Sequence, residues 1–301
     1  MKKFIEYSKK IGKDFMLCQG PGGNTSFKQN DSIFIKKSGL QLSDSNLDTF
    51  KKIKFSEINN FYSNSKINDE KFDKDLSIET PLHVFLDQKY VFHYHSIAAI
   101  ICSVIYKKNY LNKLLIEKNI TPINYIRPGL ELALEIRKNN NASSSFFLYN
   151  HGAIVQDKDL DNLLKKIKNI EHIFSEILDY RQLINLKEKI LGLELINNKI
   201  VNPDPSINYE LFNEKFFFPD HAVFFPYPII SSEDSPIQYD SKYIYFDSLL
   251  NKTELDYFKT LLIMYCYIKD QKLHNLIDST TGIKLRNSDD EILRRERNRW
   301  K

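Results

Sequence analysis

Glycine is scarce in this chain, at 9 of 301 residues, less than half of the roughly 7 % in average usage. Cysteine is scarcer. Cys18, Cys102 and Cys266 lie far apart, which excludes a disulfide framework or a cysteine zinc site and fits a reducing compartment. Long apolar runs are missing as well: the stretch nearest to a span is Leu261 to Ile268, well short of the roughly 20 residues a transmembrane helix needs. The start, Met1 to Lys10, carries positive charge with no apolar stretch behind it, so no secretory signal is read there. The expectation is a cytoplasmic protein without a membrane partner. Charge of one sign is not concentrated either. A net charge of +4 is weak, and heavy use of lysine, asparagine and isoleucine throughout accounts for a pI near 8.6 without a nucleic-acid partner. The one dense basic run, Arg294-Arg295-Glu296-Arg297-Asn298-Arg299, is interrupted by acid and reads as a solvated helix end. Leu293 and Trp300 are the apolar anchors available to that tail.

What is present is the composition of a globular protein, 42 % hydrophobic and 27 % charged, with a length that suits one large domain or two. Phe4, Ile5, Ser8 and Ile11 share a helical face that ends near Gly12. Thr25 to Phe27 and Ser32 to Ile35 read as a hairpin around a polar turn. Thr80-Pro81 opens a helix, Tyr90 to His95 has strand composition, and Ile97 to Ile105 suits a buried helix. Ser145 to Tyr149 reads as a strand that breaks at Asn150-His151-Gly152. From Asp159 onward, Leu160, Leu163, Ile167, Ile170, Phe174 and Leu178 form one helical stripe to about Leu186. Strands and helices therefore mix over the first 190 or so residues, an α/β pattern. After Asn202-Pro203-Asp204-Pro205 the chain turns rich in aromatics and proline, which divides residues 1–200 from 201–301. In the second part Tyr243 to Phe246 reads as a strand, and Thr253 with Asp256 reads as the cap of a helix to about Lys269.

The rationed glycines direct attention to Gln19-Gly20-Pro21-Gly22-Gly23-Asn24-Thr25-Ser26. No Gly-Lys-Ser/Thr follows, and the run precedes a strand rather than a helix, so neither a P-loop nor a dinucleotide fingerprint fits. Its backbone N–H groups can form an anion-accepting nest, or the run can be a plain tight turn. Lys36-Lys37-Ser38-Gly39 offers the same two readings beside two cations. Strand residues two apart share a face, so His93 and His95 can present both imidazoles to one ion. A catalytic zinc site needs a third protein ligand. His151, where a strand breaks beside a glycine, is the best candidate, with an ordinary turn histidine as the alternative. Glu79 can bind the ion, act as a base, or be no more than an exposed helix-start glutamate. His221, with only Asp220 beside it, reads as structural.

Taken in order, Gly22-Gly23-Asn24-Thr25-Ser26, Lys37-Ser38-Gly39, Ser77-Ile78-Glu79 with His83, His93-Tyr94-His95-Ser96 and Asn150-His151-Gly152 resemble the class II aldolase/adducin family over roughly residues 1–185. Tyr125-Ile126-Arg127-Pro128-Gly129 and Phe218-Pro219-Asp220-His221 are similar to its longer members, those related to the aldolase portion of bifunctional rhamnulose-phosphate aldolase/dehydrogenase proteins. The resemblance implies an αβα sandwich around a mixed, largely antiparallel sheet, with residues 201–301 as a small C-terminal α/β extension. It implies a homo-oligomer, often a cyclic tetramer with the active site between subunits. By the same resemblance His93, His95 and His151 are ligands of Zn2+ or another divalent ion, and Glu79 is the catalytic carboxylate. Gly23, Asn24, Thr25, Ser38, Gly39 and Ser77 then form the phosphate pocket. Ile78 departs from the pattern, since many family aldolases have a second serine there. A tyrosine acts as acid in some members, and Tyr243 and Tyr245 are its candidates here. The implied activity is a zinc-dependent lyase that cleaves or forms an aldol bond in a sugar or sugar phosphate through a metal-stabilised enediolate. A sugar-phosphate epimerase, a dehydratase and a non-catalytic adducin-like scaffold are the alternatives.

Overall fold

The computed structural model describes residues 1–65, 71–140, 143–213, 215–231 and 235–298. Asn30, at φ +53°, turns the chain between strands β1 (Asn24–Gln29) and β2 (Ser32–Lys36), a conformation that asparagine tolerates better than most residues. Five further strands complete the sheet: β3 (Phe50–Lys54), β4 (Tyr90–Tyr94), β5 (Thr121–Ile123), β6 (Ser145–Leu148) and β7 (Gly152–Asp157). Their order is β3-β2-β1-β4-β7-β6-β5. Only the edge pair β5–β6 is parallel, so the sheet is mixed and largely antiparallel.

Alternation along the strands feeds two apolar layers. Ile33, Ile35, Val91, Phe146 and Ile154 face the helices Phe55–Asn64, Thr80–Phe85 and Leu130–Asn139. Phe27, Phe92, Tyr94, Phe147 and Val155 face the other way, onto the helices Lys2–Lys13, Ile97–Ile105 and Leu160–Ile177. Helices thus flank both faces of the sheet, and each fully buried phenylalanine contributes about 1.5–3 kcal/mol. The second layer continues without a break into Phe217, Phe225, Tyr257, Leu261 and Tyr265 of the C-terminal region. That region carries a four-stranded sheet, in which Lys199–Val201 pairs with Tyr243–Phe246, and several helices. Among the described residues no helix is long and apolar enough to cross a membrane.

Two boundaries differ from the sequence expectation. The single helix to Leu186 is two, Leu160–Ile177 and Tyr180–Leu191. Leu178 and Asp179 leave the helical conformation, and the Asp179 side chain accepts from Gln182 N–H to cap the second helix, a local bond that competes with helix continuation. The helix Lys252–Ile268 is capped by Asn251 with Glu254 rather than by Thr253, since the Asn251–Glu254 pair satisfies two end groups reciprocally.

Candidate metal centre and its cavity

Strand β4 places His93 on the same face as Val91 and opposite Tyr94, and sheet pairing sets His93 across from Asn24 on β1 and Ile154 on β7. His95 follows directly after the strand. His151 sits in the turn between β6 and β7, where Asn150 has φ +57° and Gly152 φ +138°. A Cβ on Gly152 would stand 2.2 Å from the Tyr94 carbonyl oxygen, so only glycine lets this turn approach β4. The Asn150 amide donates to Phe217 O at 3.1 Å and Asn275 O at 2.8 Å, tying the His151 turn to the C-terminal region. Glu79 immediately precedes the helix Thr80–Phe85, and its Oε2 accepts from Asn24 Nδ2 at 2.7 Å. Asn24 Oδ1 in turn meets His83 Nε2, while Ser26 Oγ lies 2.8 Å from His83 Nδ1. Burial lowers the His83 pKa to about 3, so this ring is neutral, with one donor and one acceptor nitrogen for these two contacts.

The geometry fits a cation. His93 Nε2 lies 3.1 Å from His95 Nε2 and 3.3 Å from His151 Nε2. Glu79 Oε1 is 3.2 Å from His151 Nε2 and 3.4 Å from His93 Nε2. Tetrahedral zinc with nitrogens at about 2.0–2.1 Å spaces them about 3.3 Å apart, and the four ligand atoms here fall within 4.8 Å of one another. Glu79 Oε1 is buried without a hydrogen-bond partner, a costly state that a cation would relieve. His93 Nδ1 donates to Ala153 O at 3.1 Å, and His95 Nδ1 lies 3.2 Å from Asp220 Oδ2; such outer contacts orient the opposite nitrogen toward a metal. Burial lowers the His95 pKa to about 4 and lowers that of His151, which favours the neutral, ligating form. Burial would raise the Glu79 carboxyl, but His93 and His151 hold it well below the usual carboxylate range.

Sequence reasoning weighed His221 and passed over its neighbour. His221 Nδ1 accepts from Phe217 N–H at 3.2 Å, a structural role. Asp220 instead faces His95 of the histidine cluster and is gripped by Arg294, whose Nη1 and Nη2 lie 2.6 and 3.1 Å from its two oxygens. Tyr257 Oη is 2.5 Å from Asp220 Oδ2. Burial alone would raise the Asp220 carboxyl, but Arg294 leads the groups that hold it far below the carboxylate range. The terminal basic run is therefore not simply a solvated helix end: the Arg294 side chain is 16 % exposed. Arg297 donates to Ser38 O and pairs with Asp75. Charge order along a chain does not reveal an acid 74 residues upstream. Arg299 and Trp300 lie outside the described residues. The available signal was an acid within the apolar stretch Phe216 to Phe225, because a buried carboxylate needs a partner.

Gly23, Asn24, Ser38, Gly39 and Ser77 border one cavity together with Glu79, His95 and His151. Thr25 does not, because strand alternation turns its hydroxyl toward Ser8 Oγ at 2.8 Å. Ile78 presents its apolar side chain to the same space. Tyr243 and Tyr245 stand in the C-terminal sheet, with Tyr245 donating to Asp240, and no tyrosine lines the cavity among the described residues. Lys36 does line it, and donates to Pro21 O and Leu40 O. Burial lowers its pKa to about 7. The unfolded chain therefore binds more protons than the folded one between about pH 7 and 10.5, and stability due to this group rises with pH across that window. Urea titrations should show wild type gaining on Lys36→Met from about pH 7 to 10; a constant difference would remove the assignment.

A mixed sheet between helices, carrying three histidines and a glutamate that could hold a divalent cation, defines an α/β protein with a candidate metal centre. The chain belongs to the class II aldolase and adducin family, its residues 2–178 matching the Class II Aldolase and Adducin N-terminal domain. It is 26 % identical over 230 residues to the uncharacterized oxidoreductase YuxG of Bacillus subtilis (strain 168), covering 68 % of this chain and 32 % of that protein. The chain thus spans about a third of this curated relative's length. Among solved structures, the N-terminal class II aldolase domain of a conserved Thermoplasma acidophilum protein superposes with a TM-score of 0.52 at 24 % identity, over 58 % of this chain and 91 % of that one. L-fuculose-1-phosphate aldolase from Thermus thermophilus superposes at 0.44 with 16 % identity, over 61 % and 97 % of the two chains.

Proposed function

We propose that this chain is a metal-dependent lyase that forms or cleaves the aldol bond beside a ketone in a sugar or sugar phosphate. The observation that carries the reading is the Glu79 carboxylate clustered with ring nitrogens of His93, His95 and His151, all within 4.8 Å of one another, where Glu79, His95 and His151 line one cavity. His93, His95 and His151 would hold Zn2+ or another divalent ion. Because neutral imidazoles leave its charge intact, the ion when bound supplies a Lewis acid for a ketone oxygen and the neighbouring hydroxyl. Glu79, ionised and steered by Asn24, takes the proton from the carbon next to the ketone. Gly23, Ser38, Gly39 and Ser77 form the anion-binding wall, with Asn24 committed to Glu79 and Thr25 outside the cavity. Ile78 removes a hydroxyl from that wall, so unphosphorylated ketoses belong in the substrate class alongside ketose phosphates. The glycine run enters a strand, which gives hydride transfer from a dinucleotide no support in this chain. An intact histidine set disfavours a purely structural adducin-like role, which needs no ligands. A homo-oligomer is part of the proposal, checked by sedimentation.

Purified protein should carry about one divalent ion per chain, and a screen of ketoses and ketose phosphates should yield an aldehyde product. Epimer or dehydrated product would redirect the reaction type on the same site. A folded, metal-free protein that enolises no ketose phosphate would favour the scaffold.

A further inference from the structure

Aldol chemistry needs a proton donor as well as the base Glu79. Among the described residues three carboxyl groups border the cavity: Glu79, Asp220 and Glu291. Asp220 is consumed by its contacts to Arg294, Tyr257 and His95. Glu291 is not. It belongs to the helix Asp289–Glu296, beyond the residues that match the family domain, and is 3 % exposed. Its carboxyl meets Arg294 Nη1 at 3.2 and 3.5 Å, a guanidinium already given bidentate to Asp220. The helix end is fastened to the cavity rim: Arg297 pairs with Asp75 at 2.9 Å and donates to Ser38 O, and Asp290 pairs with Lys71. Burial, opposed by Arg294 and assisted by the charges of Asp220 and Glu79, raises the Glu291 pKa. Glu291 is thus a second buried carboxyl on the wall of the cavity that Glu79 also lines, and two carboxyl groups on one cavity can divide the roles of acid and base between them.

We propose that Glu291 is the second acid–base group of the site, giving its proton to the aldehyde oxygen as the carbon–carbon bond forms and taking it back as that bond breaks. This rests on the aldol reading above. In the forming direction Glu79 takes the proton from the carbon beside the ketone, and the electron pair left behind adds to the aldehyde carbon. The carbonyl π pair moves onto the aldehyde oxygen, which receives the Glu291 proton. Glu79 ends protonated and Glu291 ionised, and exchange with water restores both. Cleavage runs these transfers backward.

Glu291→Gln keeps the shape and a contact to Arg294 but cannot give up a proton in this way. Hydrogen exchange into dihydroxyacetone phosphate and dihydroxyacetone in D2O should stay within about twofold of wild type, with metal content unchanged, because it requires only the base. Aldehyde release from the ketose 1-phosphate that wild type cleaves, L-fuculose 1-phosphate being the first tried, should fall about 10²–10⁴-fold. Glu291→Asp should restore part of it. One limb of the kcat/KM profile should vanish in Glu291→Gln; the groups facing Glu291 are Arg294 on its own helix, Asp220 on the helix Pro219–Phe224, and Glu79. Unchanged cleavage, or equal loss of exchange and cleavage, overturns the assignment while leaving the aldol reading intact. Wild type that neither exchanges nor cleaves overturns both.

Discussion

Glu79→Gln is expected to lower α-proton exchange into dihydroxyacetone phosphate by about 10²–10⁴-fold, the usual share of a positioned general base, while metal stays at about one ion per chain. Glutamine fills the same space and can still meet the Asn24 amide, which donates to Glu79 Oε2 at 2.7 Å in wild type. The three Nε2 donors are untouched. What disappears is the negative charge and the free lone pair at Oε1, the buried oxygen without a hydrogen-bond partner. Exchange followed by NMR, with metal analysis on the same sample, separates the two roles open to this residue. Exchange at the wild-type rate removes Glu79 as base. Loss of metal together with exchange makes it a ligand first.

The other large effect lies outside the family domain. Arg294→Met leaves the Asp220 charge buried with its main partner gone, and breaking a buried pair from one side costs about 3–5 kcal/mol. Adding Asp220→Asn removes the stranded charge, so the double variant should recover most of that stability in urea unfolding. It should not recover metal affinity. Asp220 Oδ2 stands 3.2 Å from His95 Nδ1, and loss of such an outer partner weakens metal binding by about 10–100-fold. Although burial opposes it, Arg294 holds the folded-state pKa of Asp220 below its unfolded value. The contribution of the pair is therefore complete above the unfolded pKa of about 3.9 and is lost as pH falls below it. Wild type should lose more stability than the double variant in that acid window. A single variant with unchanged stability would show that the pair is replaceable, and unchanged metal affinity in Asp220→Asn would separate Asp220 from the centre.

Local rules made part of this protein readable before any fold was known. Strand alternation sends Tyr94 into the core and His93 to the opposite face wherever the strand is placed. Gly152 and the Asn150 turn likewise mark a chain reversal from residue type alone. The single long helix failed because a hydrophobic stripe persists across Leu178 and Asp179, while the break depends on a cap to Gln182 and on Tyr267, whose hydroxyl accepts from Asp179 N–H.

By itself, then, the sequence determined the mixed α/β pattern, the shared-face histidines and the turn that carries His151, since each follows from backbone sterics and periods within a few residues. Only the tertiary structure decided that Asn24 is committed to Glu79, that Thr25 turns away, that neither Tyr243 nor Tyr245 reaches the cavity, and that Asp220, Glu291 and Arg294 do. These are contacts between residues tens to hundreds of positions apart. Their existence depends on which surfaces pack together, and whether a charge ends in water or beside a buried counter-charge is settled by that packing and not by its neighbours along the chain.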